Sequence, residues 1–329
     1  MTAHRLGFAV KVLGDGGLSS HDTRRWQSGP HLRHSLERLR RILDYLDSND
    51  IRMYRVATAL APYASHPELR QFHGQVSECA EELAAVGELV RARDIRLSSH
   101  PGQYTVLNST DGAVQAAAVD ELEVQAALFD AMGLGPDAVV VLHVGGTAGG
   151  TMAACDRFLA GFERLSEAAR RRLVVENDDR SFSTADVVEL AARAGLRVVW
   201  DVLHHHCHDP HGMSDREAIT AALATWPDDV VPKVHYSSPR LDVEERRVRQ
   251  GRRVERRIVL PQLRAHADLV DPIGFERFLC DVAVERDFDV MLEAKAKDLA
   301  LLRLREQLTA RGLPTRGGRL QLVSGPCAG

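Results

Sequence analysis

The most constraining feature of this 329-residue chain is a set of short apolar, β-branched runs that each end in a His, Asp or Glu. The clearest are VVLH, VVE and VVWD, which end at His143, Glu176 and Asp201. Continuous apolar character, rather than strict alternation, is typical of strands buried on both faces of a parallel sheet. Eight such runs are found, at 5–12, 51–58, 95–100, 138–145, 173–178, 197–202, 230–237 and 288–294.

Amphipathic helical patterns separate these runs, for example at 32–46, 72–91, 116–132 and 183–194. Eight strands that alternate with helices predict an α/β fold of the (β/α)8, or TIM-barrel, type rather than a doubly wound sheet. No GxGxxG motif follows the first strand, so a nucleotide cofactor is not expected. We therefore expect a single catalytic domain over residues 1–310, with its site at the C-terminal strand ends.

Several acidic and imidazole side chains are predicted to meet at this end of the barrel. Carboxylates that converge in a low-dielectric mouth repel one another unless cations neutralise them. Imidazole and carboxylate ligands without thiolates suit Zn²⁺, Mn²⁺ or Fe²⁺. The sequence predicts a multi-metal site with candidate ligands His100, His143, Glu176, Asp201, His204, His235, His266 and Glu293.

Lys233 lies inside an apolar strand, two residues before His235, so both side chains point to the same face. If His235 reaches the barrel mouth, Lys233 lies one layer deeper in the interior. A buried ammonium is unfavourable, and the sequence leaves three solutions open, since the amine can be paired, deprotonated or chemically modified.

The HPGQY segment is a different kind of signal. A Pro-Gly turn directly after His100 fixes the backbone and projects Gln103 and Tyr104 from the top of the barrel. One interpretation is a packed loop tyrosine beside a hydrogen-bonding amide. The other is an amide and aromatic pair that fills the space left by flipped bases in DNA.

The stretch at 239–264 is a charged insertion with nine arginines against four acidic residues, in a chain of net charge −4. It can be a solvated loop or short helix, or it can be a lid that contacts phosphates through its arginines. The last stretch, 311–329, is rich in Gly and Pro and is expected to be a flexible tail.

The five cysteines are widely spaced and contain no CxxC motif, so reduced thiols are expected. No apolar run approaches the length of a membrane span, and the first residues lack the apolar core of a signal peptide. These features predict a cytoplasmic protein.

In order along the chain, the segments HPGQY, LHVGG, ENDD, WDVLHH, KVHYSS, HADLVD and LEAK resemble those of the UV damage endonuclease (UvdE/UvsE) family. That family is related to endonuclease IV and to the xylose isomerase-like barrels. The resemblance runs from Arg5 to about Leu308 and implies a metal-dependent endonuclease. Glu176, Lys233 and Glu293 would be its catalytic residues.

The resemblance also implies a cluster of three divalent ions, Mn²⁺ by preference and Zn²⁺ as the alternative. It gives Lys233 in carboxylated form, and it matches Gln103 and Tyr104 to the pair that probes the damaged bases. Phe8 stands where some members have Tyr, so that stacking on DNA remains but the phenol hydrogen bond is lost. The implied ligands are Glu176, Asp201, His235 and Glu293 for one ion, His100, His143 and Glu176 for another, and His204 and His266, with help from Asp268, for the third.

The implied reaction is hydrolysis of the phosphodiester immediately 5′ to UV photoproducts, both pyrimidine dimers and 6-4 products, in damaged double-stranded DNA. Three alternatives stay open. They are an apurinic/apyrimidinic endonuclease with the same cluster, a metal-dependent sugar isomerase, and a non-catalytic protein that binds damaged DNA. We expect a monomer that does not associate with membranes.

Overall fold

In the computed structural model, the described residues are 2–251, 253–282, 284 and 286–322. Eight parallel strands form a barrel, as the sequence predicts, and the α/β fold is confirmed. The strands are β1 (Thr2–Ala9), β2 (Met53–Arg55), β3 (Arg96–Ser98), β4 (Val140–His143), β5 (Leu173–Glu176), β6 (Arg197–Asp201), β7 (Lys233–Tyr236) and β10 (Asp289–Leu292).

Each barrel strand pairs with its neighbours along the chain, and β10 pairs with both β7 and β1. The joint between β3 and β4 is the narrowest, because an isolated bridge between Ser99 and Val140 connects them. Two backbone hydrogen bonds of 3.0 Å form this joint, from Ser99 N to Val139 O and from Val141 N to Ser99 O. We call this joint the β3–β4 seam.

The longer helices cover the outside of the barrel because they have apolar faces with helical spacing. The helix α1 buries Leu32, Leu36, Leu39, Leu43 and Leu46, and replacing one such leucine by Ala typically costs about 2–5 kcal/mol. The helices are α1 (Leu32–Ser48), α2 (Gln75–Glu78), α3 (Ala80–Ala92), α4 (Gly112–Ala131), α5 (Thr151–Phe162), α6 (Glu167–Arg172), α7 (Thr184–Ala194), α8 (Val202–Cys207), α9 (Asp215–Ala224), α10 (Pro272–Val282) and α11 (Lys297–Ala310).

The N-terminal end of the barrel is closed by a buried ionic group. Asp289, the first residue of β10, accepts hydrogen bonds on both carboxylate oxygens. Its Oδ2 lies 3.2 Å from Arg5 Nη1 and 2.9 Å from Arg96 Nη1, and its Oδ1 accepts from the Arg5 backbone N–H at 3.0 Å. A buried carboxylate held in this way stabilises the fold only while its cationic partners remain.

The arginine-rich insertion is neither a loop nor a short helix. It forms an antiparallel hairpin of β8 (Glu244–Gln250) and β9 (Arg253–Val259) that projects from the barrel. Branched Val and Ile side chains favour the extended conformation, and Gly251, with φ of +62°, takes the left-handed position in the turn. We call residues 244–259 the basic ribbon.

Part of the predicted flexible tail is paired, and for that part the prediction is wrong. The strands β11 (Thr315–Arg316) and β12 (Arg319–Leu322) form a hairpin around Gly317 and Gly318, and β12 pairs antiparallel with β1. Residues 323–329 of the predicted tail lie outside the described residues.

Cys79, Cys155 and Cys207 are free thiols, as expected. Cys280 is disulfide-bonded, so the expectation that all five cysteines are reduced is wrong for this residue. Among the described residues, no helix combines the length and the apolar character that crossing a bilayer requires.

Candidate functional site

The C-terminal strand ends bring the candidate ligands to one level of the barrel. His143, Glu176 and Asp201 are the last residues of β4, β5 and β6. Strand register places His143 beside Glu176 and Asp201 beside His235. Neighbouring parallel strands in register hold paired residues about 4.8 Å apart, so these residues lie at one level of the barrel.

Glu176 is the centre of the arrangement and is completely buried. Its Oε2 lies 2.9 Å from His100 Nε2 and 3.8 Å from His143 Nε2, while its Oε1 lies 2.9 Å from His235 Nδ1 and 3.5 Å from His204 Nδ1. Burial raises the pKa of Glu176, but the charges of His235, His143 and His100 outweigh burial and hold it well below the ordinary value.

Two groups of side chains have ligand atoms close enough to share an ion. The first is His100, Glu176, His235 and Glu293, and the second is His143, Glu176 and His204. All ligand atoms within a group lie within 4.8 Å of one another. His100 Nε2 and His143 Nε2 both lie near Glu176 Oε2, at 2.9 and 3.8 Å, and their ring centroids are 5.1 Å apart, so the predicted set of His100, His143 and Glu176 stays a prediction.

Asp201 lies outside both groups but is equally buried. Its Oδ1 accepts from the His204 backbone N–H at 2.8 Å, whereas Oδ2 accepts no hydrogen bond from the described residues. Burial, together with repulsion from Glu176 and Glu293, raises the pKa of Asp201 to about 7. For His204, burial lowers the pKa, but Asp201 and Glu176 outweigh it and raise the value to about 11.

The third predicted ion would take His204 and His266, whose ring centroids are 6.1 Å apart. His266 Nε2 lies 3.7 Å from Glu293 Oε2, and its Nδ1 is 2.7 Å from Ser237 Oγ. The His266 ring therefore faces the cluster from its outer side. Asp268, the predicted helper, is exposed and lies outside both groups.

The donor atoms fit divalent ions. Glu176 Oε2 accepts no aligned hydrogen bond from the described residues, although His100 Nε2 lies 2.9 Å away. His143 Nδ1 and Asp201 Oδ2 are likewise buried without a partner among those residues. Buried polar atoms are normally satisfied, so acceptor atoms that converge without donors indicate a cation site.

Arg55 is a site residue that the sequence analysis missed. It is the last residue of β2, at the same level as the predicted ligands, and its Nη2 lies 2.5 Å from Glu293 Oε1 and 2.9 Å from His235 Nε2. Burial raises the pKa of Glu293, but Arg55 and His235 outweigh burial and lower it well below the ordinary value. The available signal was the position of Arg55, a charged residue inside the apolar run at 51–58.

Lys233 lies one layer below His235, as the spacing predicts, and is completely buried. Its Nζ donates to Ser98 Oγ at 2.8 Å, and it forms no ion pair with a carboxylate among the described residues. Burial, followed by the charges of Arg55 and Arg96, lowers the pKa of Lys233 well below the ordinary value. Of the three solutions left open by the sequence, pairing with a described acid is therefore not adopted.

The HPGQY loop holds its polar side chains in solvent. Tyr104 is 85% exposed and Gln103 is also exposed, so the packed-loop interpretation does not hold for this tyrosine. The turn is fixed by a 2.9 Å hydrogen bond from Thr105 N to Gly102 O. A cleft of about 300 Å³ between this loop and residues 178–181 opens onto His143 and His204.

Phe8 does not lie where the sequence analysis placed it. It is completely buried in the barrel and packs edge to face on Tyr54, with ring centroids 5.4 Å apart. The predicted stacking of Phe8 on DNA is therefore wrong for this structure, because the completely buried ring has no exposed face to offer a base.

Comparison with known proteins gives consistent results. The family described as UV-endonuclease UvdE matches residues 31–315 of this chain. A relative named UV DNA damage endonuclease, from Bacillus cereus (strain G9842), is 29% identical over 88% of this chain and 86% of its own length. Among solved structures, one described as SacUVDE has a TM-score of 0.78 and 28% identity, and covers 94% of this chain and 99% of its own.

More distant structures share the fold alone. A D-tagatose 3-epimerase-like protein aligns with a TM-score of 0.50 and 13% identity, over 93% of this chain and 96% of its own. At this level of identity the match supports the barrel architecture and carries no information about the reaction.

Proposed function

Since this chain belongs to the UV-endonuclease UvdE family, we propose that it is a metal-dependent DNA endonuclease that nicks damaged duplex DNA immediately 5′ to UV photoproducts. In the proposed reaction a water oxygen bonds to phosphorus as the P–O3′ bond breaks, which leaves a 3′-hydroxyl and a 5′-phosphate. Both pyrimidine dimers and 6-4 products would be substrates. All proposed ligands come from a single chain, which fits a monomer, and we propose that it acts in the cytoplasm.

One observation carries this proposal. Glu176 is completely buried, yet imidazoles from four other segments of the chain surround its two carboxylate oxygens. A protein interior does not normally collect so many unsatisfied ligand atoms unless an ion or a reaction requires them.

The two groups around Glu176 would hold the ions, with Asp201 and His266 at their edges. The residues fit Mn²⁺ by preference and Zn²⁺ as the alternative, because their donors are imidazole nitrogens and carboxylate oxygens. Bound divalent ions would supply Lewis acidity toward phosphate oxygens and would ease deprotonation of the attacking water.

The remaining work belongs to the chain's own side chains. Arg55 Nη2 lies 2.5 Å from Glu293 Oε1 and 2.9 Å from His235 Nε2. Arg55 therefore fixes the position of the Glu293 carboxylate beside His235. The lowered pKa of Lys233 favours the neutral amine, and a neutral amine is the form that can take up carbon dioxide as a carbamate with loss of a proton. We propose Lys233 in that carboxylated form, with Glu176 and Glu293 as the central catalytic carboxylates.

We propose that Gln103 and Tyr104 recognise the lesion. Both side chains are exposed on a fixed turn directly after His100, beside the cleft that opens onto the cluster. Photoproducts are poorly stacked, so their extrusion costs less than the few kcal/mol that intact bases require. An aromatic ring of this kind can fill the vacated space without reading sequence.

The central experiment is a nicking assay on an irradiated, end-labelled duplex with added Mn²⁺. His100→Ala and Glu176→Ala should each lose nicking and bound metal, measured by elemental analysis. Undiminished cleavage by both variants would remove the site assignment. An abasic duplex and an unirradiated duplex run in parallel, and preference for the abasic duplex would transfer the proposal to apurinic-site cleavage.

A second experiment isolates lesion recognition. Tyr104→Ala should keep its metal content and its unfolding temperature, because the ring is 85% exposed. The ratio of nicking rates on irradiated and intact duplex should fall by about tenfold, corresponding to about 1–3 kcal/mol for a lost base–aromatic contact. An unchanged ratio would remove Tyr104 from this role.

A further inference from the structure

The basic ribbon is a strongly charged surface feature outside the proposed metal site. Residues 244–259 contain seven arginines and three glutamates, whereas the chain as a whole has a net charge of −4. A concentration of positive charge on an otherwise acidic protein is a local electrostatic feature that attracts polyanions.

The strand register separates the ribbon into two faces. One face carries Arg247, Arg249 and Arg256 with Val254 and Ile258, and all of these side chains are exposed. We call this the outer face; Glu245 is also on it. The opposite face carries three half-buried side chains, at Glu244, Val248 and Val259, and therefore lies closer to the body of the protein. We call it the inner face.

Salt bridges are distributed unequally between the faces. On the inner face, Arg246 pairs with Glu244 at 2.7 Å and Arg257 pairs with Glu255 at 3.3 Å. On the outer face, Arg256 contacts Glu245 at 3.1 Å, but Arg247 and Arg249 have no acidic partner among the described residues. The outer face therefore retains uncompensated positive charge.

The pairing within the ribbon is unfavourable for an isolated hairpin. Arg247 lies directly opposite Arg256, and on the other face Arg246 lies opposite Arg257. Like charges directly across a two-stranded ribbon are destabilising. An external anion that contacts both guanidinium groups of such a pair would remove this repulsion.

The base of the ribbon is attached to the rim of the metal site. A bridge joins Pro239 to His266, and Ala267 N donates to Ser238 O at 2.9 Å. Arg264, on the returning segment, lies 3.3 Å from Asp179, which lines the cleft beside the cluster. A substrate held at the cluster would therefore extend past the base of the ribbon.

We propose that the basic ribbon lies in the major groove of duplex DNA beside the nicked site and contacts phosphates on both sides of the groove. The major groove is about 12 Å wide and admits a two-stranded ribbon, whose strands are about 4.8 Å apart. This inference rests on the proposed endonuclease function, because that function supplies the duplex.

The ribbon is expected to increase affinity without sequence preference. Seven residues per strand span about 23 Å, which corresponds to about seven base pairs of duplex. Each arginine–phosphate contact contributes about 0.9 to the slope of log affinity against log salt concentration. Base readout is not required, since phosphate contacts position a protein without selecting a sequence.

The test compares two triple variants of the whole protein. Arg247→Gln, Arg249→Gln and Arg256→Gln together remove the charge of the outer face. A control with the same change of charge combines Arg41→Gln, Arg171→Gln and Arg303→Gln, which are exposed arginines of the outer helices. Binding to unirradiated and irradiated duplex is measured by fluorescence anisotropy at several salt concentrations.

The ribbon variant should bind duplex about tenfold more weakly at moderate salt, with a salt slope lower by about 2 to 3. Nicking at saturating DNA should be unchanged, so that KM rises and kcat does not. Affinity and salt slope equal to those of the control variant would overturn the proposal. Both triples should keep the wild-type unfolding temperature, since the six substituted side chains are exposed.

A second variant tests the ribbon without relying on single charges. Glu244 and Val259 are paired across the base of the ribbon, so a short Gly-Ser turn can replace residues 244–259. In wild-type protein, KM should rise when the duplex on one side of the lesion is shortened below about seven base pairs. The variant in which a Gly-Ser turn replaces the basic ribbon should lose this dependence of KM on duplex length. The same dependence in both proteins would overturn the proposal.

The two proposals fail separately. If wild-type protein does not nick irradiated duplex but the ribbon variant still binds DNA more weakly, the endonuclease proposal fails and the ribbon proposal stands. If nicking occurs and the ribbon variant binds as the control does, the ribbon proposal alone fails.

Discussion

At the N-terminal end of the barrel, both oxygens of the buried carboxylate of Asp289 accept hydrogen bonds, mainly from Arg5 and Arg96. At the C-terminal end, Glu176 and Asp201 are equally buried, but each keeps an oxygen that accepts no hydrogen bond from the described residues. Buried carboxylates of the same barrel thus have both oxygens hydrogen-bonded at one end, and only one of the two at the other end.

This difference shows how a barrel separates stability from chemistry. Guanidinium groups remain charged at all physiological pH values and give fixed neutralisation. Imidazoles can lose their protons and then bind metal, so they provide a charge balance that changes with conditions. The proposed metal ions would therefore be held at the end where carboxylate oxygens are left without hydrogen-bond donors among the described residues.

The largest expected effect comes from removing one carboxylate at each end. Asp289→Asn leaves Arg5 and Arg96 without their buried anion and should lower the free energy of unfolding by about 3–5 kcal/mol. Glu176→Gln should abolish nicking with a smaller change in the stability of the metal-free protein. Urea unfolding and nicking assays on both variants check this.

The kcat of the folded Asp289→Asn protein should remain near the wild-type value. A catalytic loss in Asp289→Asn as complete as that in Glu176→Gln would contradict the separation of the two ends.

A smaller effect is expected when the cation is removed instead of the anion. Arg55→Met leaves Glu293 without its guanidinium partner, and bound Mn²⁺ can then supply the missing positive charge. The stabilisation produced by Mn²⁺ should exceed that of the wild type by about 1–3 kcal/mol, the usual range for an unsatisfied buried group. Thermal unfolding with and without Mn²⁺ measures it.

Arg96→Met is the matched control for this prediction, because Arg96 neutralises Asp289 at the other end. It should destabilise the protein while leaving the gain from Mn²⁺ unchanged. An equal gain from Mn²⁺ in Arg55→Met and Arg96→Met would show that Arg55 does not compensate the metal site.

The smallest predicted effect concerns pH. The pKa of Asp201 is raised to about 7, so its carboxyl group is mostly protonated below that pH and must lose a proton to ligate an ion. Deprotonation of Asp201 should therefore add up to about tenfold per pH unit to the Mn²⁺ affinity below pH 7, and this contribution should end above it. His204, with a pKa raised to about 11, must release its proton on binding throughout this range, so it adds to the slope on both sides and produces no break near pH 7.

Calorimetric Mn²⁺ titrations between pH 5.5 and about 8.5 measure this profile. The interval includes the ordinary pKa of histidine and the raised pKa of Asp201. Asp201→Asn should remove the break near neutral pH, and Asp289→Asn should retain it. A break that persists in Asp201→Asn would assign it to another group.

The barrel and its ligand-bearing end were predictable because both follow from local sequence order. Each apolar run determines where a strand ends, and His143, Glu176 and Asp201 come at those ends. Parallel pairing then brings them to one level of the barrel, whatever their separation along the chain.

Side-chain partners across the barrel could not be predicted in this way. Which imidazoles would share an ion with His100 depends on the side-chain torsions of residues on several strands, and His100 lies near both His143 and His235. Arg55 was overlooked because an arginine in a strand resembles a surface residue until its distance to Glu293 is known. Phe8 was assigned to DNA by resemblance, and its burial became visible only in three dimensions.

Two expectations drawn from composition differ from the structure for a related reason, while the alternative of a phosphate-contacting lid stays a prediction. Gly317 and Gly318 suggested a flexible tail, but both adopt positive φ in the turn of a hairpin whose second strand extends the sheet at β1. The insertion at 239–264 suggested a loop or helix, yet its arginines alternate between the faces of an extended ribbon. The glycine content and charge of a segment indicate how flexible and how soluble it is. They do not determine which strand it pairs with.

The narrow β3–β4 seam would give the proposed metal ions a structural effect as well as a chemical one. His100 follows β3 and His143 ends β4, so these two Glu176-contacting imidazoles attach to opposite sides of the joint held by the fewest backbone hydrogen bonds. Ions that bridge them through Glu176 would oppose local opening of the barrel wall. Amide hydrogen exchange at Ser99 and Val141 should then slow when Mn²⁺ is bound. Binding of Mn²⁺ could therefore be detected from these exchange rates in the absence of DNA.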